Sequence, residues 1–337
     1  MESLGASAAA ANTVVYSQLP EIYGHARKVY ALEFNGNGSL LASGCSDKTI
    51  RIWPVNAPIE LRGHTEAVHS LAWDPTTPTR LATTGADKTV RTWDAKSGKI
   101  QQSISLQSDA LNVVYSHDGK YIAVSNLDCV TLIDARKYRV VRRVVNEVQF
   151  NKSGFLFVAA GEEIAFLLCT DLFAVGHPAG YGTFEIMKIV TEKKGVPNFE
   201  NVHKVVAHAG SCFCLDFHPS GRYVAIGGVD SLVSLWDLEE LYCVRTYVVT
   251  TSSIRTVRFN HDGKFLAIGT EDSTLLVWHT ETGEQALALQ LRDALQYLCW
   301  HPSKNVLAYV GDKPSTDKNN NRDGVIKWVE IRGALSR

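Results

Sequence analysis

Seven times along the chain an apolar residue, any residue and an aromatic close a short run, and a turn follows. The copies are Leu32-Glu33-Phe34, Leu71-Ala72-Trp73, Val113-Val114-Tyr115, Val148-Gln149-Phe150, Leu215-Asp216-Phe217, Val257-Arg258-Phe259 and Leu298-Cys299-Trp300. Each triplet has the period-two alternation of a strand. The turns after them are rich in Asn, Asp, Pro and Gly, as in Ser116-His117-Asp118-Gly119-Lys120 and Asn260-His261-Asp262-Gly263-Lys264. Such a repeat reads as small antiparallel sheets set radially, an all-β propeller.

A second landmark follows each inner strand: an Asp in a tight turn, then an apolar run ending in Trp. It reads Asp47 to Trp53, Asp87 to Trp93, Asp230 to Trp236 and Asp272 to Trp278, always six apart. Upstream stand Gly24-His25, Gly63-His64 and Ala207-His208, and two copies continue as Trp93-Asp94 and Trp236-Asp237. These residues resemble the WD-repeat pattern. That resemblance implies a structural hydrogen-bond network of His, turn Asp and Trp joined through a Ser or Thr. The members are His25, Asp47 and Trp53; His64, Thr84, Asp87 and Trp93; His208, Asp230 and Trp236; and Asp272 with Trp278. A buried network is stable only when each member finds its partner, so these groups read as structural, with neither a metal nor a catalytic role.

Landmark spacing sets the blade number. Trp53 to Trp93 and Trp93 to Ile133 are each 40 residues, Trp236 to Trp278 is 42, and Trp278 to Trp328 is 50. The interval from Ile133 to Trp236 is 103, too long for two blades, so a degenerate fourth blade carries an insertion at about 162–181. Its third strand resumes near Gly182 to Ile186, and Thr191 to Val202 forms a loop to the next blade. The expected organisation is a disordered segment 1–12, one seven-bladed propeller over 13–331 with a second long loop at 312–323, and a tail at 332–337. The last blade has only three strands after Ala294, and Thr13-Val14-Val15-Tyr16 supplies the fourth, closing the ring.

Charge and cysteine content narrow the function. A net charge of -1 over 337 residues argues against bulk attraction to nucleic acid. No apolar run has transmembrane length, and Met1 to Asn12 lacks the leader of a secretory signal. The seven cysteines are scattered with no Cys-x-x-Cys, which fits reduced, buried thiols and a cytosolic or nuclear setting. The Glu162-Glu163 and Glu239-Glu240 pairs sit in expected loops, there is no Gly-x-Ser-x-Gly elbow, and Gly176, Gly180 and Gly182 lack a strand-turn-helix context. No catalytic, cofactor or metal residues are therefore expected.

Binding is the expected work. Loop positions before each inner strand converge on one face, giving Arg27, Glu66, Asp109, Arg255 and Asp293 as candidate partner contacts. Their mixed charge suits a protein. Arg136, Arg139, Arg142 and Arg143 form a basic stretch around Tyr138, fit for an acidic protein tract or for RNA phosphates, or simply a charged edge strand.

Several stretches go beyond the generic repeat. Ser231 through Arg245, Arg255 through Lys264, Tyr115 through Asn126 with Leu132-Ile133-Asp134-Ala135, and the expanded last blade before Gly324-Val325-Ile326-Lys327 resemble the third-subunit family of the THO complex. The resemblance covers blades three to seven; the fourth-blade insertion departs from it. It implies a non-catalytic scaffold in the nucleus, part of a THO/TREX assembly coupling transcription to messenger RNA processing and export. Its partners would be helical scaffold subunits of THO, with indirect association with the messenger ribonucleoprotein. A different class, the substrate receptor of a cullin-type ubiquitin ligase, is suggested by Trp93-Asp94-Ala95-Lys96 and Ile133-Asp134-Ala135-Arg136.

Overall fold

The computed structural model describes residues 15–54, 57–116, 118–126, 129–145, 156–157, 166–172, 181–191, 197–249, 252–291, 294–312 and 324–332. Among these, every regular element is a strand. The chain opens with β1 (Val15–Ile22). The first sheet then holds β2 (Val29–Phe34), β3 (Leu41–Cys45), β4 (Thr49–Trp53) and β5 (Ile59–Arg62). The second holds β6 (Val68–Trp73), β7 (Arg80–Gly85), β8 (Thr89–Asp94) and β9 (Lys99–Ser105). The third holds β10 (Ala110–Tyr115), β11 (Tyr121–Asn126), β12 (Cys129–Asp134) and β13 (Arg139–Val145). In the fourth are β14 (Leu156–Phe157), β15 (Phe166–Leu172), β16 (Tyr181–Thr191) and β17 (Pro197–His208). The fifth contains β18 (Cys212–Phe217), β19 (Tyr223–Gly228), β20 (Leu232–Asp237) and β21 (Tyr242–Val248). The sixth contains β22 (Ile254–Phe259), β23 (Phe265–Thr270), β24 (Thr274–His279) and β25 (Gln285–Gln290). The last sheet is β26 (Ala294–Trp300), β27 (Val306–Asp312) and β28 (Ile326–Arg332), with β1 on the outer edge of β28.

Sequence pattern explains each strand's place. β3, Leu-Ala-Ser-Gly-Cys, is buried along its whole length, because a middle strand is covered on both faces by neighbouring sheets. β9, Lys-Ile-Gln-Gln-Ser-Ile-Ser, is almost wholly exposed, as an outer strand must be. The apolar core lies between adjacent sheets. One cluster joins Ile50, Ile52 and Leu61 to Leu71, Trp73 and Trp93. Burying each such side chain contributes about 1.5–3 kcal/mol.

Inner strands β18, β22, β26, β2, β6 and β10 pack side by side in that order, and the fourth sheet meets this row through β14 against β10 and β15 against β18. Two of the aromatics that end these triplets help this docking. Trp73 Nε1 donates to the Glu33 carbonyl at 3.0 Å, and Trp300 Nε1 donates to the Arg258 carbonyl at 3.0 Å. Each indole thus ties one sheet to the one before it.

Three expectations need correction. The stretch assigned to an insertion at 162–181 contains β15, a member of the fourth sheet. The extra length sits instead in the hairpin of β16 and β17, strands of 11 and 12 residues that keep pairing beyond Phe166↔Met187, the last β15 pair on that side. Thr191 to Val202 is accordingly not a connecting loop, since β17 starts at Pro197. The strand on β28 runs from Val15 to Ile22, further along than 13–16, with Tyr16 opposite Ile331. The triplet Val148-Gln149-Phe150, Thr13 and Val14, segments 1–12 and 313–323, and tail residues 333–337 lie outside the described residues, while Arg332 belongs to β28.

Candidate partner-binding face and the network beneath it

In the second sheet the tight turn between β7 and β8 presents Asp87, and the loop before β6 presents His64. His64 Nδ1 lies 2.9 Å from Asp87 Oδ2, and His64 Nε2 lies 2.8 Å from Thr83 Oγ1. Trp93 Nε1 donates to the same Thr83 hydroxyl at 2.8 Å. Because an indole only donates, the Thr83 hydroxyl accepts from Trp93 and donates its own O–H as a hydrogen bond to Nε2. That leaves Nδ1–H to donate to the carboxylate, so the histidine is neutral. Burial pulls the His64 pKa below its ordinary value against the opposing pull of Asp87, in keeping with that state.

The sequence pattern points to Thr84 for this relay, and the structure puts Thr83 there. Thr84 Oγ1 is buried and has no hydrogen-bond partner. Trp93 pairs with Leu81 across the ladder, so Thr83, two residues on, shares its face and Thr84 does not.

The first sheet repeats the arrangement with Ser43 as the hydroxyl. His25 Nδ1 is 3.0 Å from Asp47 Oδ2, His25 Nε2 is 2.7 Å from Ser43 Oγ, and Trp53 Nε1 donates to Ser43 at 2.8 Å. The fifth sheet keeps the network but moves the hydroxyl across the ladder. Its position on β19 is Ile226, and the opposite residue, Ser234 on β20, bonds both His208 Nε2 and Trp236 Nε1 at 2.8 Å. Asp230 Oδ1 completes it, 2.9 Å from His208 Nδ1. In the sixth sheet both positions are aliphatic, Ile268 and Leu276. Trp278 Nε1 is buried without a partner, and Asp272 accepts from the Thr270 hydroxyl. Asp272 and Trp278 therefore belong to no shared relay.

Burial raises the carboxyl pKa of Asp47, but hydrogen bonds from His25 and Thr49 outweigh it and hold the group far below the ordinary range. Asp87 and Asp230 are depressed by the same balance. His25, Cys45 and Asp47 bring donor atoms within 4.8 Å of one another, close enough to suggest a metal centre. The Cys45 thiol, however, donates to the Arg27 carbonyl, and burial pushes it up to about 12. With the histidine nitrogens already engaged, the cluster reads as part of the relay.

Each His–Asp contact pins the loop before an inner strand to a turn in the same sheet, so both lie on one face. There Arg27 is exposed and Glu66 pairs with Lys48 at 3.4 Å. Asp109 is half-buried ahead of β10, and Asp293 lies outside the described residues. Arg255 is not a loop residue: it is the second residue of β22, its guanidinium bonded to Glu271 and set 5.2 Å from the Phe213 ring centre. The basic stretch lies elsewhere, at the outer edge of the third sheet. Arg136 is in the turn capped by Asp134, while Arg139, Arg142 and Arg143 lie on β13.

Sequence reading missed a polar group lining the channel between the inner strands: Glu33, Asp216 and Arg258, the central residues of three triplets. Arg258 donates to the Leu215 and Val257 carbonyls at 3.3 and 2.9 Å, and Asp216 Oδ2 accepts from Phe259 N at 2.7 Å. Glu33 Oε2 is buried without a partner. Burial pushes Glu33 up to about 7 and Asp216 up to about 6, with Arg258 acting in the opposite direction on both.

The repeated relay on four-stranded sheets defines a WD-repeat propeller. The WD domain, G-beta repeat, matches residues 16–54, 58–94, 199–237 and 241–279. A solved structure, the β-propeller domain of Myceliophteria thermophila Cps50 (Swd1), superposes with a TM-score of 0.74 over 94% of this chain and 99% of that one, at 18% identity. Among curated proteins, THO complex subunit 3 of Arabidopsis thaliana is 35% identical over 320 residues, 91% of this chain and 93% of that protein. WD repeat-containing protein AAC3 of Dictyostelium discoideum is 30% identical over 331 residues, 89% of this chain and 64% of that protein. The chain belongs to the THO complex subunit 3 family.

Proposed function

We propose that this chain is a non-catalytic scaffold subunit of a nuclear THO/TREX assembly, holding other subunits where transcription is coupled to messenger RNA processing and export. The carrying observation is the 35% identity to a THO complex subunit across nine-tenths of both chains. The relay residues consume one another's hydrogen-bonding capacity, which suits a rigid support for variable loops. In this reading the seven sheets are seven blades of one ring, closed by Val15–Ile22 on the last blade. Its partners are helical THO subunits, and its link to the ribonucleoprotein is indirect.

Affinity purification of the tagged chain from nuclei, followed by mass spectrometry, is expected to recover the other THO subunits in stoichiometric amounts. Recovery of a ligase adaptor in their place would overturn the reading. Titration of the isolated chain with RNA should show weak binding that salt abolishes. Removal of residues 1–22 should lower the melting temperature of the whole ring; an unchanged melt would refute closure by this strand.

A further inference from the structure

The outer strands of the sheets differ in how they guard their free edges. An edge strand presents unpaired backbone groups, and charges or prolines normally blunt it. β5, β9, β13 and β17 carry charges such as Glu60, Lys99, Arg139 and Lys204, and β1 holds Pro20 and Glu21. β25 buries its leucines and leaves Gln285 and Gln290 exposed. β21 has no such guard. Its one charge, Arg245, is withdrawn into bonds of 2.9 Å with the Thr282 and Glu281 carbonyls of the neighbouring sheet. Tyr242, Val244 and Val248 are left 52%, 42% and 72% exposed.

The backbone of this edge is open as well. β21 is the last strand of its sheet, with Val248 opposite Leu232 and Val249 N bonded to the Ser231 carbonyl. Alternation along an antiparallel ladder then turns the N–H and C=O groups of Arg245 and Tyr247 toward β20, and those of Thr246 and Val248 outward. Pairing skips Val244, so the regular edge covers 245–249, and Val244 and Tyr242 extend it as an apolar path.

That path ends in acid. β20 starts from the Asp230 turn beside His208, so the turn between β20 and β21 lies on the face opposite the His–Asp loops. Glu239 and Glu240 are exposed there, and Arg245 holds the adjacent turn that exposes Glu281 and Glu284. Arg222 offsets this charge in part, but it is committed to Asp237 at 2.8 Å and to Glu239 at 3.5 Å. A polyphosphate chain is repelled by such an end. A second copy pairing through the same strand would set two Arg245 residues opposite one another and leave both acidic ends beside Val248. An extended segment with cations at one end matches both halves of the surface.

We infer that the free edge of β21 accepts an extended segment of a partner protein as a fifth strand, its β-branched and aromatic residues along Val244 and Val248 and its basic end at Glu239 and Glu240. The inference deepens the scaffold reading and rests on it.

The test uses the full chain and fluorescence anisotropy. The fluorescein-labelled probe alternates threonine with valine and tyrosine over eight residues. It ends at its carboxyl terminus in three lysines, which antiparallel addition brings to the glutamates. Matched probes replace the lysines by glutamates, replace alternate strand residues by proline, or substitute twelve-nucleotide oligouridine. Saturable binding is expected for the basic strand alone. Thr246→Pro deletes an outward N–H without touching the β20 ladder and should weaken binding about tenfold. Val244→Lys combined with Val248→Lys, at exposed positions, should do the same, and Glu239→Lys with Glu240→Lys should cost about fivefold. Ile100→Lys on β9 should leave affinity unchanged, and thermal melts should confirm that each variant folds. Hydrogen exchange at the Thr246 and Val248 amides should slow when the probe is added, and sedimentation of the chain alone should show a monomer. Binding indifferent to the β21 variants, preference for any matched probe, no saturation, or a dimer dissolved by Thr246→Pro would overturn the inference. Those outcomes alongside intact recovery of THO subunits would sink the edge site alone; loss of that recovery from the unaltered chain would sink the scaffold reading.

Discussion

The relay of the second sheet and the cluster in the channel bury the same kinds of group and reach opposite electrostatic outcomes. In the relay, Asp87 meets His64, Thr65 N and Thr89, and its pKa falls. In the channel two carboxyls share Arg258, whose guanidinium donates to the Leu215 and Val257 carbonyls, and their pKa values rise. Burial pushes a carboxyl upward in both places; the number of donors aimed at it decides the sign. Polar content alone says little about stability until each lone pair has been followed to its donor.

The strongest way to break the contrast is to remove the relay's hub. Asp87→Ala strands the Nδ1 proton of His64 and the amides of Thr65 and Thr89, and should cost about 3 kcal/mol in urea denaturation. Asp272→Ala, at an exposed residue outside any relay, should cost below about 1 kcal/mol. Equal losses would show that the relay adds nothing beyond its turn. Next comes the hydroxyl. Thr83→Val leaves Trp93 Nε1 without an acceptor and His64 Nε2 without a donor at nearly constant volume, a loss of about 2 kcal/mol by the same measurement.

The channel gives a smaller effect of reversed sign. Glu33 is displaced from its ordinary 4.5 to about 7, so the unfolded chain ionises it more readily than the folded one. Its contribution makes stability fall as pH rises from 4.5 through 7. Glu33→Gln should stabilise the protein by about 1 kcal/mol at pH 8, discounted for the water that reaches the channel, with the gain fading toward pH 5. His64 opposes this trend in the unmodified chain: kept neutral when folded, it loses stability as pH drops below 6.5. Asp47, Asp87 and Asp230 add their losses only below about 4, as the pH falls toward their depressed folded values. A Glu33→Gln variant that is less stable than the parent at pH 8 would place the channel group among satisfied networks.

The sheets were legible where landmark residues stand at distances fixed by short hairpins. His25, Asp47 and Trp53 or His64, Asp87 and Trp93 are such sets, because two strands and a tight turn leave no slack between them. The fourth sheet has no Trp or Asp landmark, so its added length can be counted but not located, and β15 is indistinguishable from insertion by spacing. The channel cluster was hidden for another reason. Glu33, Asp216 and Arg258 are between 42 and 225 residues apart in sequence and meet only when inner strands from the first, fifth and sixth sheets stand around one axis. The bulges near the starts of β2, β6, β10, β18, β22 and β26 were invisible too, since a one-residue slip leaves the alternation on either side looking regular.

One ambiguity was local, and it supplies the finest test. Thr83 and Thr84 are adjacent, both fully buried, and either fits the repeat by spacing. Cross-strand parity with Trp93 assigns the relay to Thr83. Thr84 holds a buried hydroxyl with no partner, whose desolvation is uncompensated. Replacing that hydroxyl by a methyl group of similar size in Thr84→Val should leave stability unchanged or raise it by up to about 1 kcal/mol. Had the relay run through Thr84, the same substitution would cost about as much as Thr83→Val, so the paired urea midpoints of these two neighbours decide which strand face carries the network.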